Sequence, residues 1–294
     1  MTGRNATTTV ARMADNTEQA RFWNEEGGSS WVELQNRMDA QLAPIGDAAL
    51  ALAAAKPGEH VLDVGCGTGA TTLALAAAVG PTGSVSGIDI SEPMAKLARQ
   101  RAVSAGFDHV TLDVLDAQSA SLPQATFDLL FSRFGVMFFA DPVAAFANLA
   151  TSVKSGGRLA FACWQKPSLN EWSAITGQAL ATVLPPQPPV DPLAPGPFAF
   201  ADPDRVRQIL GTASWVEVSV EPLESKMQLG GTADFDEAVD LSLRIGPAYR
   251  ALKVFPELHA PARQAIADAL APHYESGVGL SLAAACWLVS AVRP

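Results

Sequence analysis

Glu59-His60-Val61-Leu62-Asp63-Val64-Gly65-Cys66-Gly67-Thr68-Gly69-Ala70, running on through Thr71 to Ala76, is the stretch on which the fold turns. Val61 to Val64 are apolar around a single aspartate and read as a short buried parallel strand. Three alternating glycines follow, then an Ala/Leu/Thr run with helical spacing. Strand, glycine turn and helix together turn backbone groups and a helix N-terminus toward a ligand. Glycine is needed because a Cβ would block so close an approach. Gly65, Gly67 and Ala70 also satisfy the G-x-G-x-x-G/A dinucleotide fingerprint, so the stretch alone leaves the ligand open.

Downstream the chain alternates strand and helix, the pattern of a parallel α/β sheet. Strands are expected at Val61–Val64, Ser84–Asp89, Val110–Asp113, Phe127–Ser132 and Arg158–Trp164, the last entered through a Gly156-Gly157 turn. Helices are expected at Thr71–Val79, from Ser91 as cap to Ala105, and at Pro142–Val153. Beyond Trp164 the rhythm changes. A helix over Lys166–Val183 precedes Pro185–Pro197, whose seven prolines predict an irregular surface loop. Further helices are expected at Asp202–Leu210, Ala233–Tyr249 and Ala260–Pro272, with strands at Trp215–Val220 and Leu280–Val292. Upstream, Glu18–Ala55 reads as helical with a break at Gly27-Gly28-Ser29-Ser30, a cap at Ser30 and a kink or new start at Pro44. The expected organisation is a disordered leader (1–17), an N-terminal helical cover (18–55), a cofactor-binding core (56–165) and substrate or lid segments carrying the last two strands (166–294).

With 48% hydrophobic and 17% charged residues, the 294-residue chain reads as globular. A formal charge of −10 with no Lys/Arg cluster argues against a nucleic-acid substrate. Cys66, Cys163 and Cys286 fit reduced, buried thiols in a cytoplasmic protein. No targeting or membrane segment is read: Met1–Thr17 is polar, and the apolar run Val278–Val289 is short and interrupted. Monomer and homodimer stay open.

Asp89 ends the second strand, twenty residues past Gly69, where a carboxylate can accept both hydroxyls of a ribose. That fits NAD or S-adenosylmethionine alike. Asp63, two residues before the first glycine, suits a cofactor with a cationic end better than a pyrophosphate. Asp116 follows the third strand, either as a turn former or as a partner for adenine. With strand order three-two-one-four, the tips of these strands share one crevice at the topological switch point.

Taken together, Val61–Gly69, Gly87-Ile88-Asp89-Ile90-Ser91, Asp116-Ala117, Phe127-Asp128 and Gly156-Gly157-Arg158-Leu159 resemble the class I S-adenosylmethionine-dependent methyltransferases, in the style of the ubiquinone/menaquinone-biosynthesis-like group, over about residues 55 to 164. The resemblance implies a Rossmann-like, seven-stranded, mostly parallel sheet with helices on both faces, the last strand inserted antiparallel, plus N-terminal helices and helical lid insertions. It implies that Gly65, Cys66 and Gly67 meet the methionine part of the cofactor through backbone, and that Asp89 takes the ribose. Ile90 and Met94 would pack on the adenine, and Asp116 would accept from its amine beside Ala117. Ser132 and Arg133 would border the methionine; Arg133 either pairs with its carboxylate or simply ends a strand. Trp31 and Gln35 would cover the cofactor.

Methyl transfer is an in-line displacement that requires alignment and no metal. His60, His109, His259 and His273 are scattered, and candidate bases are limited to His273, Tyr249 and Tyr274. No Tyr-x-x-x-Lys relay of the hydride-transfer kind is expected. Phe134, Met137, Trp164, Asn170, Trp172 and Arg244 are the candidate substrate contacts, forming a pocket for a small apolar or aromatic molecule. The expected function is methyl transfer from S-adenosylmethionine to such a molecule. The alternatives are a non-methyl reaction on the same cofactor, an NAD(P)-dependent oxidoreductase, and a non-catalytic protein that senses the cofactor.

Overall fold

A computed structural model describes residues 15 to 294 with the exception of residue 190. The expected leader therefore lies almost wholly outside the described residues. Its end does not behave as a leader, because Asn16 is 6% exposed and Thr17 opens a helix. Three helices come first: α1 (Thr17–Glu25), α2 (Gly27–Glu33) and α3 (Gln35–Ala53). The glycine pair read as a break instead begins α2. A Cβ on Gly27 would stand 2.6 Å from the Phe22 ring, and one on Gly28 would stand 2.2 Å from the Trp23 carbonyl oxygen and 2.4 Å from the Ser91 hydroxyl. The glycines are there for close packing. Ser30 lies inside α2 and caps nothing, and Pro44 is carried within α3.

The core alternates as expected: β1 (His60–Val64), α4 (Ala70–Val79), β2 (Ser84–Asp89), α5 (Glu92–Ser104), β3 (Val110–Val114), β4 (Phe127–Arg133), α6 (Pro142–Ser152) and β5 (Val153–Trp164). Ser91 precedes α5, but its side chain makes no cap bond; its hydroxyl donates to the Trp23 carbonyl at 2.7 Å. Gly156 and Gly157 fall inside β5, with Gly156 at φ +77°, so the expected turn is an irregularity within a longer strand.

After β5 come α7 (Glu171–Ala181), α8 (Pro203–Thr212), β6 (Val216–Gln228), α9 (Phe235–Arg244), α10 (Gly246–Val254), α11 (His259–Leu270), the two-residue β7 (Tyr274–Glu275) and β8 (Gly279–Val292). The single helix expected over 233–249 is two. Ile245 is extended (φ −130°, ψ 157°) and Gly246, the residue before a proline, takes φ +64°, which stops one helix and starts the next.

The sheet order is β3-β2-β1-β4-β5-β8-β6, with β7 pairing only with β8. β1 to β5 pair in parallel, while β8 enters antiparallel between β5 and β6. This is the expected mostly parallel Rossmann-like sheet with its last strand inserted antiparallel, and β7 is the addition. β1 and β4 are buried on both faces, which is why they read as apolar runs. At the lower edge Asp128 pins three strands: it accepts from the His60 amide at 2.9 Å and from the Lys154 ammonium at 2.7 Å. A second apolar core, including Leu180, Val239, Leu243, Ile266 and Leu270, gathers α7, α9 and α11 on the start of β8.

Leu129, at the centre of β4, is fully buried in the main core. Leu129→Ala is expected to cost about 2–5 kcal/mol of stability, read as a lowered urea midpoint with unchanged slope.

Candidate functional site

The upper tips of β1, β2 and β4 open into a cleft of about 1570 Å³. Its place follows from topology, since β2 and β4 flank β1 and their exits diverge there. Single-ligand pockets run to about 1,000 Å³, so this one has room for two molecules side by side.

The glycine turn forms one wall. Gly65, Gly67 and Gly69 have φ of +68°, +57° and +88°, a region that L side chains avoid. A Cβ on Gly65 would fall 2.6 Å from the Gly135 Cα, so the turn after β1 and the turn after β4 meet backbone to backbone. The turn's amides are largely used within the protein. Those of Gly65 and Cys66 donate to the Ile88 carbonyl at 2.8 and 3.1 Å, Gly69 donates to the Cys66 carbonyl at 3.0 Å, and Gly67 donates to Asp89 Oδ2 at 2.8 Å. A pyrophosphate cradle needs such donors free. These four are engaged, which leaves the first-turn amides of α4 as the donors a phosphate could use.

Asp89 lines the cleft and is 8% exposed; its second oxygen accepts from the Ser91 amide at 2.9 Å. Burial raises its pKa, and the amide bonds partly offset that. Each carboxylate oxygen keeps a lone pair for a further donor. Asp63 was expected beside the cofactor, but it lies beneath the turn, outside the cleft lining and fully buried. Its Oδ2 accepts from the hydroxyls of Thr71 (3.0 Å) and Thr72 (2.7 Å), while Oδ1 has no partner. Loss of solvent pushes its carboxyl up to about 6, opposed by the two hydroxyls and by the Arg133 charge. Arg133, at the end of β4, lines the cleft with no hydrogen bond or ion pair among the described residues; Asp39, Asp63 and Asp47 face it at longer range.

Of the other expected cofactor residues, Trp31, Gly65, Cys66, Gly67, Ile90, Met94, Asp116 and Ala117 line the cleft. Asp116 also works as a turn former, since its oxygens accept from the Gln118 amide (3.0 Å), the Ser119 hydroxyl (2.9 Å) and the Asn16 amide group (2.7 Å). Gln35 and Ser132 are not in the lining. The Gln35 side chain donates to Asp39, and the Ser132 hydroxyl is buried between β1 and β4, donating to the Val64 carbonyl at 2.7 Å.

On the substrate side Phe134, Met137, Trp164, Trp172 and Arg244 line the cleft. Asn170 does not; it is fully buried and clamps the segment after β5 to Ala285 of β8. Tyr249 reaches the cleft, whereas His273 and Tyr274 are exposed and do not line it. Tyr249 does have a lysine four residues on, contrary to expectation. That lysine, Lys253, pairs with Glu26 at 2.6 Å and lies 5.7 Å from the Tyr249 ring centroid.

Other lining residues stand outside the expected site; of these, Trp23 reads from sequence as an aromatic that either packs on the core or covers the ligand. Asn16 bridges Asp116 and the Ala140 amide (2.8 Å) from a stretch read as leader. Trp23 packs edge-on against Phe138 at 5.3 Å, closing the N-terminal cover over the site. The proline-rich segment is no mere surface loop, since Pro185, Pro192 and Pro195 are among the cleft residues. Phe198 and Arg205 follow it into the lining. Among the described residues three ion pairs join the N-terminal helices to α9 and α10: Lys253 with Glu26, Arg244 with Glu33, and Arg37 with Glu237.

Residues 61–157 match the family model described as a methyltransferase domain. The chain is 42% identical over 104 residues to the aklanonic acid methyltransferase of Streptomyces sp. (strain C5), which covers 35% of this chain and 47% of that protein. It is 38% identical over 112 residues to the demethylmenaquinone methyltransferase of Anoxybacillus flavithermus (strain DSM 21510 / WK1), covering 38% of this chain and 47% of that one. The chain thus spans about half the length of these curated relatives. The crystal structure of the YcgJ protein from Bacillus subtilis superposes with a TM-score of 0.56 at 19% identity, over 84% of this chain and 98% of that chain, which bears on the fold alone. The resemblance to class I S-adenosylmethionine-dependent methyltransferases holds over this core.

Asp63 generates a pH dependence. Its folded pKa of about 6 lies above the ordinary 3.8, so between those values the folded state binds the extra proton. Stability must therefore fall as pH rises from about 4 to about 6 and level off above, by roughly 3 kcal/mol from this group. Asp63→Asn is expected to flatten that segment, measured by urea unfolding of the ligand-free protein at pH 4.5 and 7. An unchanged slope would remove Asp63 as its source.

Proposed function

We propose that the chain transfers a methyl group from S-adenosylmethionine to a small apolar or aromatic molecule. One observation carries this: the glycine turn with Asp89 and the aromatic side chains after β4 and β5 wall a single continuous cleft with space for two molecules. The residues present fit the cofactor. Arg133, in the lining without a hydrogen bond or ion pair among the described residues, suits the carboxylate of the amino-acid end. Asp89 has lone pairs for the ribose hydroxyls, and Ile90, Met94, Asp116 and Ala117 frame a purine. When bound, the cofactor supplies a sulfonium-borne methyl carbon open to in-line displacement.

The chain's own residues then hold and shield. Trp23, Trp31 and Phe138 exclude water from above. Phe134 and Trp164, stacked at 4.2 Å, offer the acceptor molecule a flat apolar face beside the turn. Tyr249 is the remaining candidate for a base, and none is obligatory for an acceptor that is already nucleophilic. The relatives' printed names, an aklanonic acid and a demethylmenaquinone methyltransferase, support a small-molecule acceptor. A net charge of −10 supports the exclusion of nucleic acid. Three free buried cysteines support a cytoplasmic setting, and no helix among the described residues is long and apolar enough to cross a membrane.

Calorimetric titration with S-adenosylmethionine, S-adenosylhomocysteine and NAD tests the reading. Both sulfur compounds are expected to bind and NAD is not, and Asp89→Ala is expected to weaken S-adenosylmethionine binding by about 10- to 100-fold. Absence of sulfur-compound binding would overturn the proposal. Binding without methyl transfer to any acceptor in a labelled-cofactor panel would leave a non-methyl reaction.

A further inference from the structure

Helix α1 bridges the part of the cleft that frames a purine, and its ends are tied down on either side. At its start the Asn16 amide group donates to Asp116 Oδ1 at 2.7 Å, while the Asn16 oxygen accepts from the Ala140 amide at 2.8 Å. At its end Asn24 donates to the Ile90 carbonyl at 2.8 Å and accepts from the Glu92 amide at 2.9 Å. The Trp23 carbonyl takes the Ser91 hydroxyl at 2.7 Å. Ile90 and Asp116 both line the cleft, so the helix joins the exits of β2 and β3. Asn16, Gln19 and Trp23 follow at spacings of three and four, which puts them on one face, and all three line the cleft.

Gln19 stands between the two anchors and is itself unanchored. Its carboxamide makes no hydrogen bond among the described residues, and its oxygen is shut off from solvent as well. An amide oxygen taken out of water without a donor is unfavourable. A half-turn of the terminal amide exchanges its oxygen and nitrogen, so the group can present either to the cleft. Asp116, by contrast, is nearly full. Its Oδ1 takes Asn16 and the Gln118 amide and its Oδ2 takes the Ser119 hydroxyl, which leaves about one acceptor position in four. An adenine amine has two hydrogens to place and stands beside ring nitrogens that accept. A carboxamide sets an acceptor next to a donor and matches that edge with a pair of bonds.

We infer that Gln19 reads the adenine of the cofactor, its oxygen accepting from the exocyclic amine and its nitrogen donating to the neighbouring ring nitrogen. This rests on the cleft holding S-adenosylmethionine as proposed above, and it adds a base-reading residue from the N-terminal helices to those at the strand tips. A base with a carbonyl in place of the amine sets oxygen against oxygen at Gln19 and at Asp116 alike. Gln19 is thus a specificity residue for the cofactor and takes no part in the transfer step.

Calorimetry on the full chain with S-adenosylhomocysteine and its deaminated counterpart, S-inosylhomocysteine, provides the test. The wild type is expected to favour the adenine compound by about 100-fold, since two acceptors lose their donor in the other. In Gln19→Leu the preference should narrow to about tenfold, with the loss falling on the adenine compound. Leucine keeps the helix propensity and the apolar part of the contact, and Gln19→Met repeats the measurement with a second side chain. Weakening of both compounds by the same factor would mean that Gln19 only supports the helix, and would overturn the inference. So would a preference that is unchanged in both variants or absent from the wild type. A wild type that binds neither compound would instead sink the S-adenosylmethionine reading itself.

Discussion

The site depends on a backbone contact that admits no side chain. Gly65 leaves β1 and Gly135 follows β4, and a Cβ on Gly65 would sit 2.6 Å from the Gly135 Cα. The pairing of β1 with β4 ends at Asp63 and Phe131, and beyond it the touching turns hold the two strand ends together beneath the crevice. Ser132 reinforces the junction, with a hydroxyl that donates to the Val64 carbonyl and accepts from the Gly135 amide at 3.2 Å. The Gly67 amide then reaches Asp89, which ties the same floor to β2. Three strand ends are held by short-range polar bonds around three glycines, Gly65, Gly67 and Gly135, and the cleft walls are built outward from them.

That floor was legible because its chemistry is local. Strand, positive-φ glycines and a helix start are encoded by neighbouring residues, and the carboxylate at the next strand tip follows from sheet adjacency. The cover was misread where one residue type serves two purposes. Gly27 and Gly28 look like a break, yet they exist so that α2 can press on Trp23 and Ser91. Ser91 looks like a cap, yet its hydroxyl is taken by the Trp23 carbonyl. Asn16, Phe198 and Arg205 could not be found from sequence, since only the tertiary return of distant segments brings them to the cleft. Asp63, expected beside the cofactor, lies outside the cleft lining instead and holds the first turn of α4 through Thr71 and Thr72.

The two sides of the cleft are built on different principles. On the cofactor side polar groups are fixed by backbone bonds from β1, β2 and the β3 exit, so their positions are set by the sheet. On the substrate side the walls are rings and prolines carried by segments that pack on their own apolar core with α7, α9 and α11. That second core meets the sheet only at the start of β8, through Leu280 and Leu282, so it is largely separate from the core beneath the glycine turn.

The ion pairs between the N-terminal helices and the lid carry a further consequence. Lys253–Glu26, Arg244–Glu33 and Arg37–Glu237 all keep substantial contact with solvent. Exposed pairs of this kind contribute little each, and dissolved ions screen what attraction there is. The same boundary is also held by the buried bond from the Gly230 amide to Gln41 at 2.7 Å. An apolar seam of the same extent would resist opening in proportion to the area exposed. The polar part of the contact between the N-terminal helices and the segment after β6 therefore answers to ionic strength, while the backbone contacts at the floor of the cleft do not.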